Sequence, residues 1–514
     1  MPSPIAGVTI DSRAIAEGQV FFAIAGERFD GHDFAFAAAH AGAGLIVVHH
    51  RGDSVDQAVR LADEGRGPAV LEVDDTVVAL QQLAAAWRDQ LATAGVRVIA
   101  VTGSNGKTTT RQLIHAAMSS TQVGSQSPKS FNNHLGVPLT LLAARESDDF
   151  VVAEVGTNHP GEIAALGAIL RPDAAVLTCV GTSHIGNFGS RDAIADEKTS
   201  LFNRLGSDAA PAVEGVMIFP GDDARVAAAM SNTWTGPTAT AASAASAAST
   251  TSPARRQMIR FGESDNCDAR LLDVTSQEAG VTMNAIVQGQ TITLNLPLLG
   301  RHNARNALAA LACATAVGVP IDAAVQALAH AGPVTQRLEV RKLGRPLAPQ
   351  LRLLVDCYNA NPDSMVAALN VLAAQPVDNA QGRRVAILGD MFELGDIAQA
   401  AHRQIGETIV EIDKLARSQS SDVNASTPAH PVVVRGGIDM VITIGDLAGS
   451  IAESLAAAWP AQRIEVAGRW RDELPADVAA QLRPGDTVLL KASRGMALER
   501  LIPAIEAKLS RAPA

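Results

Sequence analysis

Basic residues, cysteines and aromatic residues are all scarce in this 514-residue chain. Its 42 lysine and arginine residues are outnumbered by 53 acidic residues, and the net charge of −11 argues against nucleic acid or an anionic membrane as the main partner. The 4 cysteines lack Cys-x-x-Cys spacing, so we expect free buried thiols and no zinc site at Cys179, Cys267, Cys313 and Cys357.

Long apolar runs are also missing. No stretch is long enough to span a bilayer, so we expect no membrane span. Residues 1–10 lack the basic and apolar regions of a signal peptide, and we therefore expect a cytoplasmic protein. A hydrophobic content of 47% with 18% charged residues fits a globular protein, and the length predicts several domains.

Short apolar strands that alternate with Ala-rich helices predict an α/β protein with three domains. Residues 1–92 form the first, closed by a helix over Thr76–Ala92. Residues 93–332 form a central domain, predicted to be a parallel sheet with helices on both faces, because its strands read as continuous apolar runs. Residues 333–514 repeat strand, polar loop and helix, which predicts a doubly wound, Rossmann-like domain with ligands at the carboxyl ends of its strands.

The apolar pattern predicts the main elements of each domain. The strands are expected at Val20–Ile24, Leu45–Val48, Ala69–Val73, Val98–Val101, Phe150–Val155, Ala174–Thr178, Leu271–Val274, Thr291–Leu296, Leu353–Asp356, Val385–Asp390, Met440–Gly445 and Thr487–Lys491. Two further helices are expected at Arg111–Met118 and Asn303–Val317. Residues 231–252 are low-complexity Ala, Ser and Thr, interpreted as a flexible surface insertion, with a short Ala-rich helix as the alternative.

Residues 98–110 are the most informative segment of the chain. Four apolar residues predict a buried strand, Gly103 and Gly106 permit a tight loop, and a helix follows. In such a loop the backbone N–H groups face an anion, Lys107 adds a charge for phosphate, and the Thr108 hydroxyl can ligate Mg²⁺. Only two residues separate Gly103 from Gly106, where the common phosphate loop has four residues before its Gly-Lys pair. The shorter loop indicates either a chance match or a particular subfamily.

Three further polar residues follow or lie near the predicted strands. Glu154 ends an apolar strand, where it is either a solvated acid or the second Mg²⁺ ligand expected beside a phosphate loop. His184 follows the next strand and is either a surface residue or a ligand. Lys198 lies in a helical pattern, and its sequence context alone favours a solvated lysine.

Three polar loops complete the candidate set. His302 and Asn303 start a helix after a glycine turn and could meet a nucleotide or simply cap the helix. The segment 356–362 combines Tyr358 with two asparagines, which suits stacking on a purine, although Asn-Pro is also an ordinary turn. The segment 491–494 is a cationic loop that suits a carboxylate or phosphate.

These segments together resemble the Mur ligases and the related folylpolyglutamate synthetases. The matching segments, in chain order, are 9–13, 21–34, 102–110, 130–138, 154–162, 300–306, 356–362, 389–395 and 491–494. The resemblance covers nearly the whole chain apart from residues 231–252. It implies an ATP-dependent amide ligase that joins UDP-MurNAc-tripeptide to D-Ala-D-Ala through an acyl phosphate, and we expect a monomer.

The resemblance also implies a role for each matching residue. Lys107, His184 and Lys198 are expected to be catalytic. The residues expected around ATP are Gly103, Ser104, Asn105, Gly106, Lys107, Thr108, Thr109, His302, Asn303, Arg337, Asp356, Tyr358 and Asn361. The ligands expected for two Mg²⁺ ions are Thr108, Glu154, His184 and Lys198, with Lys198 carbamylated by CO₂. The residues expected at the substrates are Ser12, Arg13, Gly26, Asp30, His32, Asn132, Asn133, Lys491, Ser493 and Arg494.

Two other functions compete with this one. A folylpolyglutamate synthetase would not need the first 90 or so residues, and the Tyr-Asn-Ala-Asn-Pro run at 358–362 speaks against it. A non-catalytic nucleotide-binding module would tolerate the loss of Lys198. The sequence is silent on whether the third residue of the tripeptide is meso-diaminopimelate or lysine.

Overall fold

The computed structural model describes residues 6–206, 215–233, 238–240, 256–344, 350–377, 381–421 and 436–511. Within these residues the chain forms three separate sheets surrounded by helices. The predicted α/β class is confirmed, and the three sheets are mostly parallel. No helix in the described ranges is both long enough and apolar enough to cross a membrane.

The first sheet is small and wholly parallel. Its strands are β1 (Val8–Thr9), β2 (Val20–Phe22), β3 (Leu45–Val48) and β4 (Ala69–Glu72), hydrogen-bonded in that order. The helices that accompany it are α1 (Ala35–His40), α2 (Asp53–Asp63) and α3 (Thr76–Thr93). Helix α3 contributes Leu80 to the core of this sheet and Leu91 to the core of the next one. Helix α3 therefore packs on both sheets, and the domain boundary at residue 92 stays a prediction.

The second sheet is the largest and carries the phosphate-loop segment. Its strands are β5 (Arg97–Thr102), β6 (Gly124–Gln126), β7 (Phe150–Glu154), β8 (Ala174–Leu177), β9 (Val216–Pro220), β10 (Thr238–Thr240), β11 (Arg256–Gly262), β12 (Ala269–Gln277), β13 (Gly280–Val287) and β14 (Gln290–Leu296). Its helices are α4 (Lys107–Met118), α5 (Gly136–Ala143), α6 (Glu162–Leu170), α7 (Ile185–Phe188), α8 (Arg191–Thr199), α9 (Ala224–Thr233), α10 (Arg301–Ala316) and α11 (Ile321–Ala329). The strand order is β14-β13-β12-β11-β9-β8-β5-β7-β6, with β10 beside β11.

The second sheet is parallel except at one edge. Strands β12, β13 and β14 form an antiparallel meander there, and β13 was not among the predicted strands. The prediction of an insertion over 231–252 is partly wrong, because Ser231–Thr233 end helix α9 and Thr238–Thr240 pair in parallel with Arg256–Met258. Residues 241–252 of that prediction lie outside the described residues.

The third sheet forms the core of the C-terminal part. Its strands are β15 (Glu339–Leu343), β16 (Leu351–Asp356), β17 (Arg384–Gly389), β18 (Met440–Ile444), β19 (Ile464–Gly468) and β20 (Thr487–Lys491). Its helices are α12 (Pro362–Ala374), α13 (Ala398–Ser421), α14 (Gly449–Ala456), α15 (Leu474–Gln481) and α16 (Ile502–Arg511). The order is β15-β16-β20-β17-β18-β19, parallel apart from β15. The edge strands β15 and β19 were not predicted, because partly exposed edge strands lack a continuous apolar run.

A buried ion pair fixes α3 against the second sheet. Arg88 is fully buried, donates from Nε to the Leu170 carbonyl at 2.9 Å, and pairs through Nη2 with Asp173 Oδ2 at 2.9 Å. The same Asp173 oxygen accepts the backbone N–H of Val98, the first apolar residue before the phosphate loop, at 2.7 Å. This network links the start of β5 to the end of α6.

Replacing Arg88 with alanine is expected to lower the free energy of unfolding by about 3 kcal/mol, because the Asp173 carboxylate is left buried without its counter-charge. Urea unfolding followed by circular dichroism measures the change. Arg66→Ala is the matched control, since the Arg66 side chain is 71% exposed and pairs with Glu64 at the surface. Equal unfolding midpoints for the two variants would contradict the expectation.

Candidate active site between the second and third sheets

The loop after β5 is shaped by two glycines that nothing larger could replace. Gly103 and Gly106 have φ values of +147° and +81°. A Cβ atom on Gly103 would lie 1.9 Å from the Thr178 hydroxyl, and one on Gly106 would lie 2.6 Å from the Asn306 amide oxygen. The loop is therefore packed tightly between the end of β8 and helix α10, with its N–H groups at the start of α4.

Lys107 is the first residue of α4 and folds back over this loop. Its ammonium donates to the Gly103 carbonyl at 2.8 Å. Burial lowers the pKa of Lys107, and Glu154 partly offsets that effect. A partly desolvated cation at a helix N-terminus is arranged to meet an anion such as phosphate.

Thr108 and Glu154 are brought together as the sequence predicted. The Thr108 hydroxyl donates to Glu154 Oε2 at 2.9 Å, and Asn132 Nδ2 donates to Glu154 Oε1 at 2.9 Å. Arg337, from the segment that precedes β15, donates to the Thr108 hydroxyl at 3.0 Å. Glu154 is 1% exposed. Its buried carboxylate is stabilised by the donors from Thr108 and Asn132 and by the Arg111 guanidinium, whose Nε lies 3.6 Å from Oε2.

Lys198 lies on α8 and is only 2% exposed, so the expectation of a solvated lysine is wrong. Burial, followed by the nearby charge of Lys107, lowers the pKa of Lys198 to about 7. The neighbouring acid, Glu197, is already engaged, because its carboxylate accepts the N–H groups of Gly161 and Ile163 at 2.7 and 2.8 Å at the start of α6. Among the described residues no hydrogen bond or ion pair reaches the Lys198 ammonium.

His184 occupies the N-cap position of the short helix α7, and its backbone is left-handed, with a φ of 61°. Its Nδ1 lies 2.8 Å from Glu393 Oε2, close enough for an ion pair but without the alignment of a hydrogen bond. Within the described ranges His184 makes no hydrogen bond or ion pair with Glu154 or Lys198. The loop before it contacts the phosphate loop, since Gly181 N donates to the Ser104 hydroxyl at 2.9 Å.

A cavity of about 260 Å³ opens beside the phosphate loop, between α4, α10 and the third sheet. The predicted residues that line it are Ser104, Asn105, Gly106, Lys107, Thr109, His302, Asn303, Arg337, Asp356 and Lys491. Asn359, one of the two asparagines of the segment 356–362, also lines it. So do residues to which the sequence analysis gave no binding role, and they are Thr178, Cys179, Arg305, Asn306, Leu338, Asp363, Ser364, Ala367 and Ala368. Asn306 could have been found, because it lies one helical turn after His302 and shares its face.

The charged groups of this cavity are largely paired with each other. Lys491 donates to Asp356 Oδ2 at 2.7 Å and to the Asn359 carbonyl at 3.2 Å, with its side chain 1% exposed. Burial lowers the pKa of His302 to about 4, so its ring is neutral near pH 7 and can both donate and accept a hydrogen bond. The cavity therefore offers neutral polar groups beside a cationic loop, which suits a nucleoside attached to phosphates.

Some predicted nucleotide residues lie outside the lining of this cavity. The Arg337 guanidinium covers the Tyr358 ring at 4.5 Å, so this face of the ring is already occupied. Asn361 caps α12 by accepting Ser364 N at 2.9 Å, and its amide nitrogen donates to Asn105 at 2.8 Å and to the Ser183 hydroxyl at 2.5 Å. Asn361 thus ties the third sheet to the phosphate loop.

The substrate residues predicted on the C-terminal side and in the central sheet are held by local contacts. Ser493 accepts Phe392 N at 2.9 Å, and Arg494 donates to Gln336 at 3.0 Å. Asn133 accepts Gly136 N, the first residue of α5, at 2.9 Å, whereas its neighbour Asn132 donates to Glu154.

The substrate residues predicted in the first sheet surround a histidine cluster away from the cavity. Asp30 accepts His32 N and lies 2.6 Å from His32 Nδ1 and 2.9 Å from His50 Nε2, while His32 Nε2 accepts His49 N at 3.0 Å. These bonds occupy both ring nitrogens of His32 and help to hold the pKa of Asp30 near 2.

The other three substrate predictions of this sheet lie close by in the chain. Arg13 pairs with Asp11 at 2.8 Å, Gly26 N donates to the Phe29 carbonyl at 2.9 Å, and Ser12 starts a single helical turn.

Three family profiles match consecutive parts of the chain. The Mur ligase family catalytic domain matches residues 4–88, the Mur ligase middle domain matches residues 101–314, and the Mur ligase glutamate ligase domain matches residues 336–494. Together the profiles cover the first and third sheets and all of the second except the start of β5.

Two relatives with the same enzyme name match almost the whole chain. UDP-N-acetylmuramoyl-tripeptide--D-alanyl-D-alanine ligase of Bacillus subtilis is 34% identical over 98% of this chain and 94% of its own length. The enzyme of the same name from Escherichia coli is 31% identical over 97% and 93%. A crystal structure of MurF from Acinetobacter baumannii superposes with a TM-score of 0.76 at 27% identity, covering 98% of this chain and 94% of that one.

Proposed function

The chain belongs to the Mur ligase family, and on that premise we propose that it is an ATP-dependent amide ligase that adds D-alanyl-D-alanine to UDP-N-acetylmuramoyl-tripeptide. The products are UDP-MurNAc-pentapeptide, ADP and phosphate, and the reaction belongs to peptidoglycan precursor synthesis. The choice of substrates is supported by relatives of that name, which match over 97–98% of the chain, including its first domain.

One observation carries the reaction class: beside the phosphate loop lies a buried lysine, Lys198, whose ammonium forms no ion pair within the described residues. An ammonium at 2% exposure whose pKa is lowered to about 7 spends much of its time as a neutral amine near neutral pH. A neutral amine is the form that attacks CO₂: its nitrogen bonds to the carbon, one C=O bond becomes C–O⁻, and the nitrogen releases a proton to give a carbamate. We propose that Lys198 is carbamylated, which turns the buried cation into an oxygen donor.

The donor set suits Mg²⁺ under that condition. Thr108 and Glu154 present a hydroxyl and a carboxylate 2.9 Å apart, and hard oxygen donors are what Mg²⁺ prefers. We propose that they hold one ion, and that His184 and carbamylated Lys198 help to hold a second. Bound Mg²⁺ offsets negative charge on the phosphates.

The remaining residues bind and orient the reactants. In the proposed first step the tripeptide carboxylate oxygen attacks the γ-phosphorus of ATP, the bond to the β-phosphate oxygen breaks, and ADP leaves. Lys107 and the N–H groups of the loop stabilise the charge that gathers on the phosphates. In the second step the dipeptide amine attacks the acyl carbon, phosphate leaves, and the nitrogen loses a proton.

Other parts of the proposal follow from the same family membership. We propose domains at 1–92, 93–332 and 333–514, a monomer, and a cytoplasmic location. The nucleotide would occupy the cavity next to Lys107 and His302, and the UDP-sugar would meet the first domain near Arg13 and His32. Lys491 donates to Asp356 and to the Asn359 carbonyl, which leaves its third N–H for the phosphates or the dipeptide.

The proposed reaction predicts that ADP and pentapeptide form in equal amounts only when ATP, UDP-MurNAc-tripeptide and D-Ala-D-Ala are all present. Coupled ADP detection and mass spectrometry of the nucleotide product measure both, with each substrate omitted in turn. Tripeptides ending in meso-diaminopimelate and in lysine are compared. A folate with glutamate serves as the rival substrate pair.

Two outcomes would contradict the proposal. ADP release that ignores the dipeptide and yields no pentapeptide would reject the ligase assignment. Glutamate addition to the folate, without any pentapeptide, would identify a folylpolyglutamate synthetase instead.

A further inference from the structure

The loop over residues 390–395 follows β17, and no residue in it has a role in the reaction proposed above. Met391 and Leu394 anchor it, with 0% and 2% exposure, and Asp390 Oδ1 accepts Ala448 N at 2.7 Å. Between these anchors Phe392 and Glu393 project outward. The anchoring fixes where the Glu393 side chain begins.

Glu393 reaches across to the central domain and contacts His184. Their closest atoms, Glu393 Oε2 and His184 Nδ1, are 2.8 Å apart. Both residues have left-handed backbones, with φ values of 63° and 61°. Such conformations are costly for residues other than glycine and persist only where the surroundings hold them, which is a common property of functional sites.

The loop that carries His184 contacts the C-terminal domain on both sides of the histidine. On one side Asp363 Oδ2 accepts both the N–H and the hydroxyl of Thr182 at 2.7 Å each. On the other side a Cβ atom on Gly186 would lie 3.1 Å from Gly395 N, so the two backbones nearly touch. The position of His184 therefore depends on how the two domains are docked.

The contact is poorly suited to a purely stabilising role. The Glu393 side chain is 57% exposed and that of His184 is 17% exposed, and exposed ion pairs contribute little to stability. A carboxylate beside one ring nitrogen of a metal-binding histidine does something else, since it fixes the tautomer and the ring orientation and leaves the other nitrogen for the ion.

We propose that Glu393 is a positioning residue for His184. It accepts the Nδ1 proton, so that Nε2 is the free lone pair for a divalent cation, and it does so only when the C-terminal domain is docked on the central domain. The inference rests on the proposed function, in which His184 helps to bind the second ion. Binding of the ion is expected to align the 2.8 Å contact into a hydrogen bond.

The test measures Mn²⁺ binding to the full-length protein with ADP, by the loss of the free Mn²⁺ signal in electron paramagnetic resonance. Mn²⁺ accepts the oxygen and imidazole donors proposed here. Glu393→Ala is expected to weaken binding at the His184 site by about 10- to 100-fold. Glu393→Gln is expected to keep most of the affinity, because its amide oxygen still accepts the Nδ1 proton. Pulsed measurements are expected to show imidazole nitrogen coupled to Mn²⁺ in wild type and Glu393→Gln, and not in Glu393→Ala.

Two controls separate the possible failures. Glu453→Ala removes another exposed carboxylate of the C-terminal domain, paired with Arg403 at 3.6 Å, and is expected to bind Mn²⁺ like wild type. His184→Ala shows whether the histidine contacts the ion at all.

Each pattern of results has one meaning. If His184→Ala weakens Mn²⁺ binding and Glu393→Ala does not, the positioning role is rejected and the proposed metal site stands. If His184→Ala leaves binding unchanged, the metal role of His184 is rejected together with the positioning role, whereas the ligase reaction is judged separately by product formation. A Gln variant as weak as the Ala variant would also overturn the inference, because orientation alone would then not explain the loss.

Discussion

Lys198→Ala is expected to lower the rate of ADP formation and amide formation by roughly 10³-fold, with the fold intact. The side chain lies 2% exposed on α8, close enough to Lys107 for that charge to lower its pKa. Removing it deletes the carbamate that would offset the cations around the phosphates. Because the unmodified ammonium is buried without a partner among the described residues, its loss leaves no counter-charge stranded.

A short carboxylate is expected to restore part of the activity of Lys198→Ala. Acetate or formate can enter the space that the side chain vacates and supply the same oxygen donors as the carbamate. The measurement is ligase rate against carboxylate concentration. Lys414→Ala, on the exposed face of α13, is the control and should neither lose activity nor respond to carboxylate. Full activity of Lys198→Ala without any additive would reject the catalytic role and favour a simple nucleotide-binding module.

Lys107→Met is expected to lower kcat/KM for ATP by about 10²- to 10³-fold, because one cationic donor aimed at the transferring phosphate is lost. The ammonium already lies on the loop, 2.8 Å from the Gly103 carbonyl, so it needs little rearrangement to meet the γ-phosphate. Methionine keeps the length and apolar bulk of the stem. The fall in kcat/KM should therefore reflect the loss of the charge and not a change in packing.

The stability of Lys107→Met separates this explanation from misfolding. Burial lowers the pKa of Lys107, which means that the folded protein disfavours the ammonium when no anion is bound. Methionine removes that cost, so the melting temperature without nucleotide is expected to equal or exceed that of wild type. Lys414→Met is the control for both measurements. A melting temperature below that of wild type, together with the loss of activity, would contradict the electrostatic account.

The sequence located the strand ends that carry chemistry because parallel strands are read from local patterns. The runs ending at Thr102, Glu154 and Leu177 are buried on both faces, and their apolar continuity marks them without knowledge of their neighbours. The edge strands Glu339–Leu343 and Ile464–Gly468 escaped prediction, since half-exposed strands carry no such run.

The sequence predicted that Thr108 and Glu154 meet, but the other pairings between distant residues could not be predicted. The sequence around Lys198 has a pattern typical of a solvated helix, and only the tertiary structure shows that Lys198 is buried. Tyr358 suited a purine by its chemistry, yet the Arg337 guanidinium covers its ring, and Lys491 suited a phosphate, yet it pairs with Asp356. Each of these partners comes from another segment, so its position depends on the docking of elements and not on local sequence.

The sequence by itself determined the three-sheet α/β architecture, the phosphate loop with its two obligatory glycines, and the family. These properties depend on periodicity, on backbone conformations that few residues can adopt, and on motifs within a few residues of one another. Only the tertiary structure decided which charges are buried and what they contact, including Glu393 against His184 and Glu197 against the start of α6. Burial and long-range contact are created when separate elements pack, and no local pattern in the chain records them.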